Sequence, residues 1–324
     1  MRAPVSQDMS RASTLSPALP RISSSWTADL SLLLVAVVWG SSYLAAKTVL
    51  ASAPLYLFLF ARFGLTVVLM LPFVWKHLRN STREEWFVGG ILGLFLLAIF
   101  SLETRGVSLT TATNAGLIIS LAVVLVPLVE GAAFRRFPGW GLLGAVGLSF
   151  AGTALLTVRE GWNLQFNAGD VLIFGAALVR AFNMTYTQKL TVGKELNSLA
   201  LTVIQFIVVT VGTGVVSVAT LDSSALRFPV DAQFWVLTLY LTLFCTLFAF
   251  YIQLTMIRRT SPSRVGLLMG TEPIFAALFA MQLGGEQLSW QGWLGGAILV
   301  GATFWGRKAE ERRRALTQAQ TSPA

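Results

Sequence analysis

The sequence predicts an all-α integral membrane protein: ten transmembrane helices arranged as two inverted five-helix repeats, with both termini cytoplasmic. Composition is the first sign. Only 12% of the 324 residues are charged and 55% are hydrophobic, at a mean hydropathy of +0.69, whereas a soluble domain carries roughly 25% charged residues. The second sign is a series of ten apolar runs near the length a helix needs to cross hydrocarbon. The third is the side on which the basic residues fall.

The first span, 29–50, follows a tail (1–27) rich in Ser and Arg whose one acid is Asp8. That tail reads as disordered cytoplasmic chain, with an organellar transit peptide as the alternative. No small-residue cleavage site follows the run, so it stays as a helix. The second span, 54–74, stops before the loop Lys76-His77-Leu78-Arg79, and the third covers 86–104. The fourth, 109–131, ends ahead of Arg135-Arg136, and the fifth is 138–158. Asp170 opens the sixth, 170–188, as Asp29 opens the first; the seventh is 198–220. The eighth, 233–255, holds the one cysteine, Cys245, which leaves neither a disulfide framework nor a thiolate metal cage. The ninth, 262–283, carries Glu272 beside Pro273 near its middle, and the tenth, 289–306, runs into a basic tail, 307–324.

With both termini inside, 18 of the 24 Lys and Arg fall on the cytoplasmic side. Lys47, Arg105, Arg159 and Arg227 fall outside, and Arg62 and Arg180 lie within spans. The sequence pI of about 10.3 therefore reflects membrane topology and needs no nucleic acid. Shifting the chain by 151 residues lays spans four and five on nine and ten, Ala122 on Pro273 and Arg135 on Glu286. Five spans is an odd number, so the second half inserts upside down. Two half-bundles that can rock about a polar site near the midplane are a secondary-transporter design.

The segments Trp39-Gly40-Ser41-Ser42-Tyr43 with Lys47, Ala61-Arg62-Phe63, Thr110-Thr111-Ala112-Thr113-Asn114-Ala115, and Glu272-Pro273 through Gly285-Glu286 occur in an order and spacing that resembles the EamA-type members of the drug/metabolite transporter superfamily. The resemblance covers about 28–306. It implies a multi-pass carrier of the bacterial inner membrane, often an exporter of amino acids or other small metabolites. It also implies a central cavity bounded by helices 1–4 and 6–9, with helices 5 and 10 outside. Three departures stand out. Ala122 replaces a proline of the first repeat, so the fourth helix is expected to bend elsewhere, with Pro127 nearby. Phe134-Arg135-Arg136 replaces a Gly-Glu pair, and Arg180 replaces a tryptophan.

A carboxylate at bilayer depth costs roughly 2.5–3.5 kcal/mol on insertion scales. Glu272 is therefore read as a coupling or gating group that binds a proton or pairs with an arginine. Pro273 would free the carbonyl of Met269 and kink the ninth helix toward a cavity, either as a passive bend or as a moving gate. Arg62 and Arg180 lie too deep to snorkel and must find acceptors. Either Glu272 neutralises one while the other, preferentially Arg180, forks onto a substrate carboxylate, or Arg62 pairs with Glu103 and Arg180 with Glu272. Trp39, Tyr43, Asn114, Asn183, Tyr186, Gln205 and Gln253 are the further candidate substrate-binding residues; Glu103 joins the gating set.

The only histidine, His77, sits in a loop, and no His-Glu-x-x-His or Gly-rich Lys-Ser/Thr phosphate loop is present. Intramembrane catalysis and ATP-driven transport on this chain are therefore not expected, nor is a cofactor. The expected function is alternating-access transport of a small organic metabolite, probed first as amino-acid export, with proton coupling and a monomer or homodimer both open. A nucleotide-sugar or drug carrier is the alternative within the class; a scaffold or lipid-handling protein is the alternative outside it.

Overall fold

The computed structural model describes residues 25–133, 135, 137, 139–156, 158–159, 163–164, 167–191, 194–252 and 270–321. The regular structure among these residues is helical apart from a two-residue antiparallel ladder, Val158–Arg159 with Asn163–Leu164. The helices are α1 (Ser25–Leu50), α2 (Leu55–Arg79), α3 (Arg83–Leu109), α4 (Ala112–Ile119), α5 (Ala122–Ala133), α6 (Trp140–Leu156), α7 (Ala168–Thr191), α8 (Ser198–Thr220), α9 (Ala232–Tyr240), α10 (Glu272–Gln282) and α11 (Trp290–Thr321). Among the described residues seven segments are long and apolar enough to cross a membrane, counting α4 with α5 and α9 with its continuation to Ile252. The chain is a multi-pass membrane protein. α1 starts inside the tail expected at 1–27, and α11 carries the basic tail on as helix, helped by Arg307 donating from Nε to Glu311 at 3.1 Å.

Side-chain chemistry sets the helix starts. Thr82 and Glu85 form a reciprocal capping box at α3: the Thr82 hydroxyl accepts from Glu85 N at 3.1 Å, and Glu85 Oε2 accepts from Thr82 N at 2.8 Å. The other carboxylate oxygen accepts from Asn197 N at 2.7 Å, which ties the start of α3 to the start of α8. Asn197 in turn caps α8 through Leu199 N and Ala200 N.

One local irregularity was not expected, and the bend expected in the fourth span falls at another place than Pro127. After Tyr240 the helix widens to π geometry over Leu241–Phe248 before resuming, and the fourth span breaks at Ser120–Leu121. At that break the chain tightens to three-residue bonds, Ser120 N to Leu117 O and Leu121 N to Ile118 O. The bend is therefore not displaced to Pro127, which lies inside an unbroken α5. In repeat register α5 and α10 begin within one residue of each other, although only the second repeat has the proline.

Packing between the halves is reciprocal. α1 lies on α10, and α7 lies on α4 and α5; α2 and α3 both meet α8; α6 pairs with α11. Glycine permits the closest approaches of α10. A Cβ on Gly40 would lie 2.6 Å from Phe275 Cβ and 2.8 Å from Ala276 N, and one on Gly116 would lie 2.3 Å from Ala276 Cβ. α10 is thus wedged between α1 and α4 at a separation no larger residue allows. The buried core runs through Phe58, Phe63, Phe206 and Phe234 to Ile118 and Leu121.

Candidate functional site

Two polar clusters sit in this apolar bundle, one toward each end of α10. The first gathers α1, α3, α7 and α10. Tyr43, on the same face of α1 as Trp39, is 3% exposed and donates its hydroxyl to Glu272 Oε1 at 2.7 Å. Glu272 is the first residue of α10, where unpaired N–H groups and the helix dipole favour negative charge. Pro273 occupies the first turn, the position where its missing N–H costs nothing. It opens a helix here; the expected kink, through Met269, lies outside the described residues.

Arg180 on α7 donates from Nη2 to Glu103 Oε2 on α3 at 2.8 Å. This corrects both expected pairings, Arg62 with Glu103 and Arg180 with Glu272. The reason is helix rotation: α3 and α7 lie side by side and present positions 103 and 180 to each other. Arg62 on α2 is 8% exposed. Among the described residues its guanidinium donates only a long bond, Nη2 to Thr246 Oγ1 at 3.3 Å, while its carbon Cζ lies 5.5 Å from the ring centres of Phe63 and Phe100. Its Nε has no partner among the described residues. Trp39 donates its indole N–H to the carbonyl of Cys245 at 2.8 Å, a carbonyl within the π-helical turn. Ser41 and the Tyr240 hydroxyl share a hydrogen bond.

The remaining expected residues divide. Asn183, one turn along α7 from Arg180, has a buried Oδ1 with no partner among the described residues. Gln205 is half-buried on α8. Tyr186 is exposed, stacks on Phe95 and carries Lys189 over its ring, so it does not join the cluster. Gln253 lies outside the described residues.

The second cluster holds α1, α4, α7 and the loop after α10 together. Glu286 accepts from Ala112 N at 2.7 Å, Thr113 N at 3.0 Å and the Thr113 hydroxyl at 2.8 Å, capping the first turn of α4. Lys47 Nζ lies 3.4 Å from Glu286 Oε1 and donates to the carbonyl of Thr110 at 2.9 Å. The Thr110 hydroxyl donates to Asp170 Oδ1, and Asn114 Nδ2 reaches the same oxygen at 3.4 Å. Asn114 therefore belongs to this lock and not to the substrate cluster. Burial pushes the Glu286 carboxyl up, but Thr113 N, Ala112 N, the Thr113 hydroxyl and the Lys47 ammonium outweigh it and hold it below the usual carboxylate range. A cleft lined by Leu44, Lys47, Thr48, Leu283, Gly284 and Glu286 lies against the lock. Sequence reasoning marked Lys47, Thr110 through Ala115 and Glu286 as carriers of the resemblance without joining them into one cluster. Its readable signals were the Thr-rich start of α4 and an acid alone in a loop without Lys or Arg.

The arrangement pairs a sealed polar junction at one end of α10 with a sparsely bonded carboxylate at the other. Comparisons with known proteins agree with that reading of a carrier. A family model, the EamA-like transporter family, matches residues 26–158 and 167–305, one match to each half of the chain. An uncharacterized transporter of Archaeoglobus fulgidus is 26% identical over 85% of this chain and 95% of its own length. Another from the same organism is 34% identical over 47% of this chain, spanning 46% of that relative. The uncharacterized inner membrane transporter YedA of Escherichia coli K12 is 25% identical over 82% of this chain and 85% of its own length. A solved crystal structure superposes with a TM-score of 0.61 over 88% of this chain and 98% of its own, at 18% identity, which speaks to the fold alone. The chain belongs to the EamA-like transporter family.

Proposed function

We propose that this membrane transporter is a secondary carrier that exports a small organic metabolite, first of all an amino acid, by alternating access. In this reading residues 28–158 and 159–306 are two five-helix repeats inserted with opposite orientation, ten helices in all. The tails 1–27 and 307–324 are cytoplasmic, and the membrane is a bacterial inner membrane, as the name of the Escherichia coli relative suggests for that protein. The protein works as a monomer or homodimer. The observation that carries the reading is the pair of partly buried acids, Glu272 on Tyr43 and Glu103 on Arg180, set between helices of a largely apolar bundle where ionisable groups are costly unless they serve a solute path.

The mechanism follows from that pair. Glu272 accepts one hydrogen bond from the described residues and keeps acceptor capacity for a proton or for the ammonium group of a substrate. Competition between the two for one carboxylate couples outward substrate movement to inward proton movement. The lock around Glu286 closes one end of the path, and the break at Ser120–Leu121 lets α4 tilt with the lock while α5 stays packed. The test is transport by the purified protein in liposomes with labelled amino acids, run with and without an imposed pH gradient. Gradient-dependent flux supports the proposal; absence of flux for every amino acid removes the substrate reading.

A further inference from the structure

We infer that Arg62, and not Arg180, is the anchor for a carboxylate on the substrate. The inference rests on the transporter reading above and specifies the chemistry of its site.

Charge accounting separates the two arginines. Arg180 is neutralised in place by Glu103 at 2.8 Å, so a substrate carboxylate would have to displace an ion pair already formed. Arg62 has no carboxylate within ion-pair distance among the described residues, yet it is the more buried residue, 8% exposed. A guanidinium carries five N–H donors and stays charged in proteins. Among the described residues one donor makes a 3.3 Å bond to Thr246 and Nε makes none. The faces of Phe63 and Phe100 supply a cation–π environment, which is weaker than the hydration the group has lost. A buried, planar, under-bonded fork on an aromatic wall is what a carboxylate would complete with two parallel hydrogen bonds.

Depth supports the same assignment. α3 and α7 pair Glu103 with Arg180 and Phe95 with Tyr186. Asn183 therefore lies level with the Phe100 turn of α3, against which the Arg62 guanidinium rests. Among the described residues, Asn183 Oδ1 is a buried acceptor without a donor, and Arg62 Nε is a buried donor without an acceptor. This depth of the bundle thus holds one unmet cation and one unmet acceptor among the described residues, and a small acid carrying an N–H or O–H group would supply a partner for each.

The experiment measures thermal unfolding of the purified full-length protein with L-amino acids of apolar, polar and charged side chain, the matched 2-oxo acids and the matched carboxamides. Acids are expected to stabilise wild type and carboxamides are not. Arg62→Gln is expected to unfold at a higher temperature than wild type without ligand, because it removes an unpaired buried charge, and to bind acids about 10- to 100-fold more weakly. Arg180→Gln is expected to unfold at a lower temperature, because it strands Glu103. If Arg62→Gln cannot be recovered folded, Arg62→Lys is expected to weaken acid binding while keeping the preference for acids over carboxamides. Equal binding of acids and carboxamides, undiminished acid binding by both Arg62 variants, or no stabilisation by any acid overturns the assignment. Those results leave the transporter reading standing, since that reading fails only if liposome flux is absent.

Discussion

Two glutamates bracket α10 and differ in what they hold. Glu286 accepts three hydrogen bonds from the start of α4 and faces the Lys47 ammonium. Glu272 accepts one among the described residues, from Tyr43. A carboxylate with its acceptor sites filled fixes geometry; one with sites left over is able to exchange partners. In the proposed mechanism the same side chain serves as a clasp at one end of a helix and as a loading point at the other, and the surroundings decide which.

The contrast breaks most visibly at the clasp. Glu286→Ala leaves the first amides of α4 and Lys47 without their acceptor and should cost about 2–4 kcal/mol, given about 1.5–3 kcal/mol for a hydrogen bond to a charged group and incomplete additivity. Thermal unfolding of the purified protein reads this; an unchanged midpoint would show that the lock does not hold the helices together. Arg180→Gln comes next, at about 2 kcal/mol, because it leaves Glu103 unpaired in a site that is only partly exposed. Arg180→Gln combined with Glu103→Gln should recover part of that loss. Tyr43→Phe removes a single hydrogen bond and should cost about 1 kcal/mol while changing the pH dependence of flux, which separates a loading role from a packing one.

Acid provides the finest test. The folded-state value of Glu286 lies below its unfolded value, so its contribution to stability is complete above the unfolded pKa and disappears as pH falls through the folded one. Stability of wild type should therefore fall more steeply than that of Glu286→Gln as pH drops through and below the usual carboxylate range, about pH 4. Parallel curves would mean the clasp is not electrostatic.

Much of this architecture is legible in the chain, because hydropathy reports what must face lipid. The runs at 54–74 and 198–220 lie on α2 and α8, and the close approach at Gly40 follows from a residue without a side chain. Partner choice was not legible. Whether Glu103 meets Arg62 or Arg180 depends on the rotation of α3 against its neighbours, and hydropathy is blind to rotation. The break at Ser120–Leu121 lacked its proline, so the chain carried no local mark of it, although α5 begins in repeat register with α10. The π-helical turn was hidden for a similar reason: Leu241–Phe248 is as apolar as any straight helix. Its presence is tied to the Trp39 indole, which bonds the Cys245 carbonyl across a neighbouring helix.

The loading role of Glu272 is tested most directly by flux of labelled amino acids into and out of liposomes under an imposed pH gradient, wild type against Glu272→Gln. The account predicts that the gradient drives net movement by wild type and none by the variant. Gradient-driven movement that survives Glu272→Gln unaltered would contradict it.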